Sequence, residues 1–223
     1  MTKYSNNRNL TIHDEPKFNN WDVLANYQLC QEYLGKIQNV LNNSLQQYPR
    51  TFVVRVDLHL PKVMSCPDYP SGFSTEAITR FIESLKSQLK AHQERSRREH
   101  KRVHPNTLRF IWAKEQCESV MPHYHLALLL NNDAYYTLGD YKTVQDNLAG
   151  RIYTAWARAL NIEPVKAIGL VHFPERNPTY HLNANSCDFA DSFNSIFIRV
   201  SYLAKFHTKH FGDRTKNFSC SWR

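Results

Sequence analysis

Two histidines separated by one residue open an apolar run: Pro122-His123-Tyr124-His125 leads into Leu126 to Asn131. On an extended strand, residues i and i+2 project from the same face. His123 and His125 can therefore reach one ion together, with Tyr124 facing away. Alone, such a pair is as readily two unrelated polar residues at a strand start. Glu115 changes the weighing, because it ends the preceding apolar run, Thr107 to Glu115. A hairpin would place its carboxylate beside the imidazoles. Two imidazoles and one carboxylate leave coordination positions open for water and substrate. Mg²⁺ or Mn²⁺ suits that set when phosphate oxygens complete the sphere, and zinc is compatible with the same ligands. The simpler reading of Glu115 is an exposed carboxylate in a hairpin turn.

A third element lies downstream, Tyr202-Leu203-Ala204-Lys205. A phenol is a poor nucleophile at neutral pH because it is mostly protonated. A metal-bound phosphate and a nearby cation favour the phenolate and stabilise charge at phosphorus. On a helix Lys205 stands at i+3 from Tyr202, so both can face one site. With twelve tyrosines in the chain, a core tyrosine beside a solvated lysine is the competing reading.

These residues need elements to position them. Residues 1–19 read as a mobile polar arm. Residues 20–47 read as an N-terminal helical extension, with helical spacing of Trp21, Leu24, Leu29, Tyr33, Ile37, Val40, Leu41 and Leu45. Residues 48–223 form the main domain. In it, Thr51 to Leu60 is a β-rich run ended by Pro61. Residues 62–73 carry Pro67, Pro70 and Gly72 and read as a loop. Ser74 or Thr75 caps a helix running to about Lys101, with Ile78, Phe81, Ile82, Leu85 and Leu89 on one face. The two apolar runs form an antiparallel hairpin. A helix over Lys142 to Leu160 follows, then strands over Ala167 to Phe173 and Thr179 to Leu182. A last helix over Asp188 to Lys209 carries Tyr202 and Lys205. The order β, α, β, β, α, β, α predicts an α+β fold, an antiparallel sheet covered by helices.

The formal net charge of +8 favours a polyanionic partner. Arg95, Arg97, Arg98, Lys101 and Arg102, together with Lys205, Lys209, Arg214 and Lys216, can track DNA phosphates. A solvated helix face explains the first group almost as well. Trp112, Tyr124, Phe173 and Tyr180 can stack unpaired bases or fill the core. The five cysteines, Cys30, Cys66, Cys117, Cys187 and Cys220, are odd in number and include no CxxC. That argues against a disulfide framework and a zinc-thiolate site and fits a reducing cytoplasm. Residues 1–20 are polar, with no apolar signal segment. The densest apolar run, Leu126 to Leu130, is too short to span a membrane.

In combination, the His-x-His strand, the carboxylate on its neighbour and the downstream YxxK resemble the HUH endonucleases. More closely, WAKEQ (Trp112 to Gln116), HYHLALLLN (His123 to Asn131), LVHFP (Leu170 to Pro174) and SYLAK (Ser201 to Lys205) resemble the gene-II-type replication proteins of inoviruses and related prophage and chromosomal-island proteins. The resemblance covers roughly residues 48–210. It implies a ferredoxin-like, RRM-like sheet with the His pair on a central strand. It implies that His123, His125 and Glu115 hold the metal, that Tyr202 attacks the scissile phosphate, and that Lys205 assists at the phosphate or metal. The product would be a 5′-phosphotyrosine and a free 3′-hydroxyl. Asp57 and His59, in VDLHLP, share a strand face and lie near such a site.

The resemblance further implies rolling-circle initiation at a DNA origin, single-stranded at the nick, in a bacterial cytoplasm. A second nucleophile one helical turn after Tyr202 would fall at position 206, which is Phe206, so a single-tyrosine enzyme is expected. No GxxxxGK[ST] loop is present, so unwinding and synthesis would need a separate helicase and polymerase. The alternatives are a single-tyrosine transposase, a relaxase, or a nonenzymatic DNA-binding regulator on an HUH scaffold. Relaxases usually place the tyrosine before the His pair, the reverse of the order here.

Overall fold

Aliphatic and β-branched residues fill most of Thr51 to Leu58, and such a run fits a strand covered on both faces. The computed structural model bears this out and describes residues 2–61, 75–116, 121–209, 211 and 215–222. The expected loop at Pro67, Pro70 and Gly72, the Ser74 cap and Arg214 lie outside the described residues.

In chain order the elements are β1 (Lys3–Tyr4), β2 (Asn7–His13), β3 (Lys17–Phe18), β4 (Trp21–Asp22), β5 (Leu29–Cys30), α1 (Gln31–Gln47), β6 (Arg50–His59), α2 (Thr75–Arg98), β7 (Arg109–Glu115), β8 (His123–Asn131), α3 (Leu148–Leu160), β9 (Val171–His172), β10 (Thr179–Asn183), α4 (Phe189–Ser201) and β11 (Phe218–Cys220). The main sheet runs β10-β6-β8-β7-β11, with β9 also paired to β6. Every pairing in it is antiparallel. The protein is therefore α+β, and β6-α2-β7-β8-α3-β10 follows the expected order.

Strand alternation sorts the core into two layers. Phe52, Val54, Val56 and Leu58 of β6, with Tyr124, Leu126 and Leu128 of β8, pack against α2 and α3. Val53, Ile111, Ala113, Ala127 and Leu129 face the other way, onto α1 and α4. Each fully buried Leu, Ile or Phe contributes roughly 1.5–3 kcal/mol from burial, so both layers stabilise the sheet between its helices. Helix α3 starts where the Asn147 side chain accepts the Gly150 amide (2.8 Å) and ends at Asn161 with a left-handed φ of 56°.

Four expectations need correction. The polar arm over residues 1–19 is paired strand: β2 joins β1 and β5, and Leu10 and Thr11 are buried. Its polar side chains have partners, as where Glu32 accepts from the Thr11 amide and hydroxyl (2.9 and 2.8 Å). The helix expected from Trp21 begins only at Gln31, because Leu29 and Cys30 pair with β2. The extension is thus part of the domain, and α1 covers one sheet face. Most of Ala167 to Phe173 is a 3₁₀ segment, Pro164–Leu170, with only Val171–His172 as strand. The last helix stops at Ser201, and Tyr202–Ala204 continue as one 3₁₀ turn.

Candidate metal centre and nucleophile

Register brings the chemistry-bearing residues into two adjacent rows. His59, His123 and Glu115 stand opposite one another across β6, β8 and β7. Asp57 and His125 form the next row, ending on Ala113. Directly opposed residues share a face, so all five side chains emerge on the α1/α4 side. Tyr124 points the other way into the core, as the alternation requires.

Glu115, His123 and His125 offer ligand atoms that all lie within 4.8 Å of one another. The donor set fits a divalent cation. His125 Nε2 and Glu115 Oε1 are buried and have no hydrogen-bond partner, although Nε2 lies 3.3 Å from the other Glu115 oxygen. A lone pair on Nε2 and a free carboxylate oxygen, both aimed into one cluster, are what a cation would satisfy. Behind them, Asp57 Oδ1 lies 2.7 Å from His125 Nδ1. Asp57 accepts a hydrogen bond from Nδ1–H, which leaves Nε2 free for an ion, and this support tunes the basicity of the imidazole. The Arg55 guanidinium holds Asp57 in turn, at 3.5 Å, and also donates to the Leu126 carbonyl.

The electrostatics prepare the ligands differently. Burial, with the charges of His125 and His59, pushes His123 down to about 4, so it is a neutral ligand at pH 7. Burial opposes ionisation of Glu115, but His125, Lys205 and Lys209 outweigh it and bring it down to about 2. Burial also disfavours the charged form of His125, yet Asp57 and Glu115 raise it above the ordinary histidine value.

Tyr202 sits against this cluster. Its ring packs edge-on to His125 at 5.2 Å between centroids, and its hydroxyl lies 3.4 Å from Glu115 Oε2. Lys205 Nζ donates to the Tyr202 oxygen at 2.5 Å and pairs with Glu115 at 2.8 Å. The lysine reaches there by a route other than the expected helix: its backbone is extended (φ −60°, ψ 143°) and bridges to Leu29. Burial and the Glu115 charge raise the Tyr202 phenol above its ordinary value, against the pull of Lys205.

Other expected residues fall elsewhere. Because the helix has ended, Phe206 does not stand one turn beyond Tyr202; it is buried and stacks on Tyr4 at 4.0 Å. Lys209, expected to track phosphates, is buried and donates to the Lys205 carbonyl at 2.5 Å. Burial and the Lys205 charge hold it down to about 8, against Glu115. Arg95, Arg97, Arg98, Lys101 and Arg102 are exposed at the far end of α2, where Arg95 meets Asp146 and Lys101 meets Glu99. That end packs beside Tyr135 and His104, at the opposite end of β8 from His123 and on the opposite sheet face. Trp112, Tyr124 and Phe173 are core residues, and Tyr180 is half-buried.

Two contributors were not anticipated. Arg55 alternates with Asp57 and His59 along β6, and an arginine in an otherwise apolar strand was a usable signal. Tyr27 packs edge-on against Tyr202 at 5.9 Å and lies 5.5 Å from Lys205 Nζ, and no local pattern in its loop announced this.

Residues 13–221 match the family described as the YagK/YfjJ C-terminal domain. Two proteins of Escherichia coli strain K12 are similar over most of both chains. "Uncharacterized protein YagK" is 45% identical over 193 residues, 85% of this chain and 92% of its own. "Uncharacterized protein YfjJ" is 37% identical over 195 residues, 85% of this chain and 93% of its own. No solved structure matches the chain. With the domain match covering residues 13–221, which include the Glu115, His123 and His125 group and Tyr202, and two relatives matching most of both chains, the chain belongs to the YagK/YfjJ C-terminal domain family.

Proposed function

We propose that the protein is a metal-dependent DNA-nicking and strand-joining enzyme of HUH type that uses one tyrosine. The observation that carries this reading is the placement of a lysine-bonded tyrosine hydroxyl 3.4 Å from Glu115, a member of the two-His, one-carboxylate cluster. The strand order β10-β6-β8-β7, with α2 and α3 as crossovers on one face, supports a ferredoxin-like, RRM-like framework.

Glu115, His123 and His125 would hold the ion, Mg²⁺ or Mn²⁺, through oxygen and neutral imidazole nitrogen. When bound, the cation supplies Lewis-acid polarisation of a phosphate oxygen and offsets the Glu115 charge that disfavours the phenolate. The chain's own residues do the rest. Tyr202 presents its oxygen to phosphorus, and Lys205 stabilises negative charge on that oxygen by donating to it. The phosphorus–oxygen bond to the 3′ carbon breaks, the phenolic hydrogen is lost to solvent, and the departing 3′-oxygen gains a proton. The fragment downstream of the nick remains joined through its 5′ phosphate to Tyr202 as a tyrosine phosphodiester. The bond energy is conserved in that ester, so a 3′-hydroxyl can reverse the step and rejoin DNA. Asp57 and Arg55 orient His125.

The proposed substrate is the single-stranded region of a replication origin, and the proposed setting a bacterial cytoplasm with a separate helicase and polymerase. No helix among the described residues is long and apolar enough to cross a membrane. The test is incubation with single-stranded DNA and Mn²⁺, followed by denaturing electrophoresis. A covalent adduct that maps to Tyr202, and is lost in Tyr202→Phe and in EDTA, is expected. An adduct on another residue, or one undiminished in Tyr202→Phe, overturns the reading.

A further inference from the structure

Resting on that reading of Tyr202, the geometry points to Arg199 as the residue that grips a backbone phosphate of the bound strand, on the side of Tyr202 away from Lys205. Arg199 lies three residues before Tyr202 on α4, so the two side chains leave neighbouring positions on one helix face. Tyr202 faces Glu115 and His125, and Lys205 closes the β7 side through Glu115. The other side is bounded by β6, where Arg55 stands two residues from Asp57 on the same face and is only 2% exposed. Arg55 feels the positive charge of Arg199, which adds to burial in lowering its guanidinium pKa.

The two arginines are satisfied unequally. Arg55 has the Leu126 carbonyl and Asp57, although its Nε is also without a partner. Arg199 has a buried Nε with no hydrogen-bond partner, and among the described residues no carboxylate pairs with its guanidinium. Asp57 cannot serve both, because it is already committed to Arg55 and His125. The one carboxylate here thus serves Arg55, and the half-buried Arg199 keeps an unfilled Nε donor. Such an arrangement is costly unless an anion completes it. A phosphodiester supplies that anion, since its two free oxygens match the planar donor fork of arginine. Along the same face, half-buried Tyr180 and exposed His172, opposite Asp57 on edge strand β9, carry the path from Tyr202 to the sheet edge.

The test is binding of a fluorescein-labelled single-stranded oligonucleotide in EDTA, on a Tyr202→Phe background so that no strand is cut. Arg199→Gln is expected to weaken binding roughly tenfold, the size of one charge-assisted hydrogen-bonded contact. It should also reduce the slope of log affinity against log salt by about 0.7, as for one single-strand phosphate. Arg199→Lys should restore the slope while recovering only part of the affinity. Unchanged affinity and slope in Arg199→Gln overturns the proposal and leaves the nicking reading standing if adducts still form on Tyr202. An equal loss in Arg199→Lys, together with a lowered melting temperature, marks a packing role and also overturns it. Failure of the unsubstituted background to bind any single strand overturns the Arg199 proposal, and the nicking reading is then decided by the adduct test with Mn²⁺.

Discussion

His125 and His123 answer to opposite fields although they project from one strand face. His123 has been driven towards neutrality, whereas His125, held between Asp57 and Glu115, keeps a proton more readily than a free imidazole. Whenever His125 is doubly protonated, a cation must displace the proton on Nε2 to bind there. Because the folded-state pKa of His125 is raised, metal affinity should climb as pH rises through neutrality and level off above that pKa. Calorimetric titration of Mn²⁺ in two buffers of different ionisation enthalpy should show proton release near pH 7, and none would remove this account. Asp57→Asn takes away the acceptor that fixes the tautomer. It should weaken metal binding by roughly 10- to 100-fold and also lower the melting temperature of the metal-free protein, because the buried Arg55 loses its carboxylate. Glu115 supplies a second pH effect. Its depressed pKa contributes stability that is complete above the ordinary carboxylate range and is lost as pH falls through about 2. Acid melting curves of Glu115→Gln should therefore be flatter between about pH 5 and 2 than those of the parent.

At the scale of elements, Tyr202 and Lys205 are held by a segment far away in sequence. Leu29 is fully buried, bridges to Lys205, and precedes the start of α1; the Gln28 carbonyl accepts the Phe206 amide at 2.9 Å. The Leu24 amide donates to Ser201 Oγ at 3.1 Å, just before Tyr202. Leu29→Ala should cost about 2–5 kcal/mol through the cavity it leaves. It should also cut adduct formation by more than the unfolded fraction explains, because Lys205 loses its anchor; loss of activity tracking unfolding alone would count against this. The same elements show what was legible. β7 and β8 could be read from their uninterrupted apolar runs, and the registry of Glu115 with His123 followed once they were paired. The end of α4 could not, because a 3₁₀ turn and a helix share the same apolar spacing over three residues, and only the bridge to Leu29 pulls Lys205 into extended backbone. The arm was misread because its pairing is backbone-driven, and backbone pairing leaves no mark in a polar composition.

For the whole molecule, the sheet separates two groups of charged residues that the net charge had merged. The site lies on the α1/α4 face at the start of β8, while the exposed arginines of α2 lie on the other face near its end. Eight strand steps of roughly 3.4 Å put about 27 Å of β8 between the two ends. At physiological ionic strength the Debye length is about 8 Å, so these exposed charges would be screened from a phosphate held at Tyr202. They can act only on DNA that extends around the protein. Replacing Arg95, Arg97 and Arg98 together by Gln should leave single-turnover cleavage of a short, saturating oligonucleotide within about twofold of the parent. Affinity for a long strand should fall, with a smaller salt slope, since each lost phosphate contact removes about 0.7 from a single-strand slope. Rate measurements on short and long substrates across a salt series make the comparison. A slowed cleavage step on the short oligonucleotide would mean that the α2 tail reaches the site and that the two faces are not independent. An unchanged long-strand affinity would instead return those arginines to an ordinary solvated helix face, and the +8 charge would need another anionic partner.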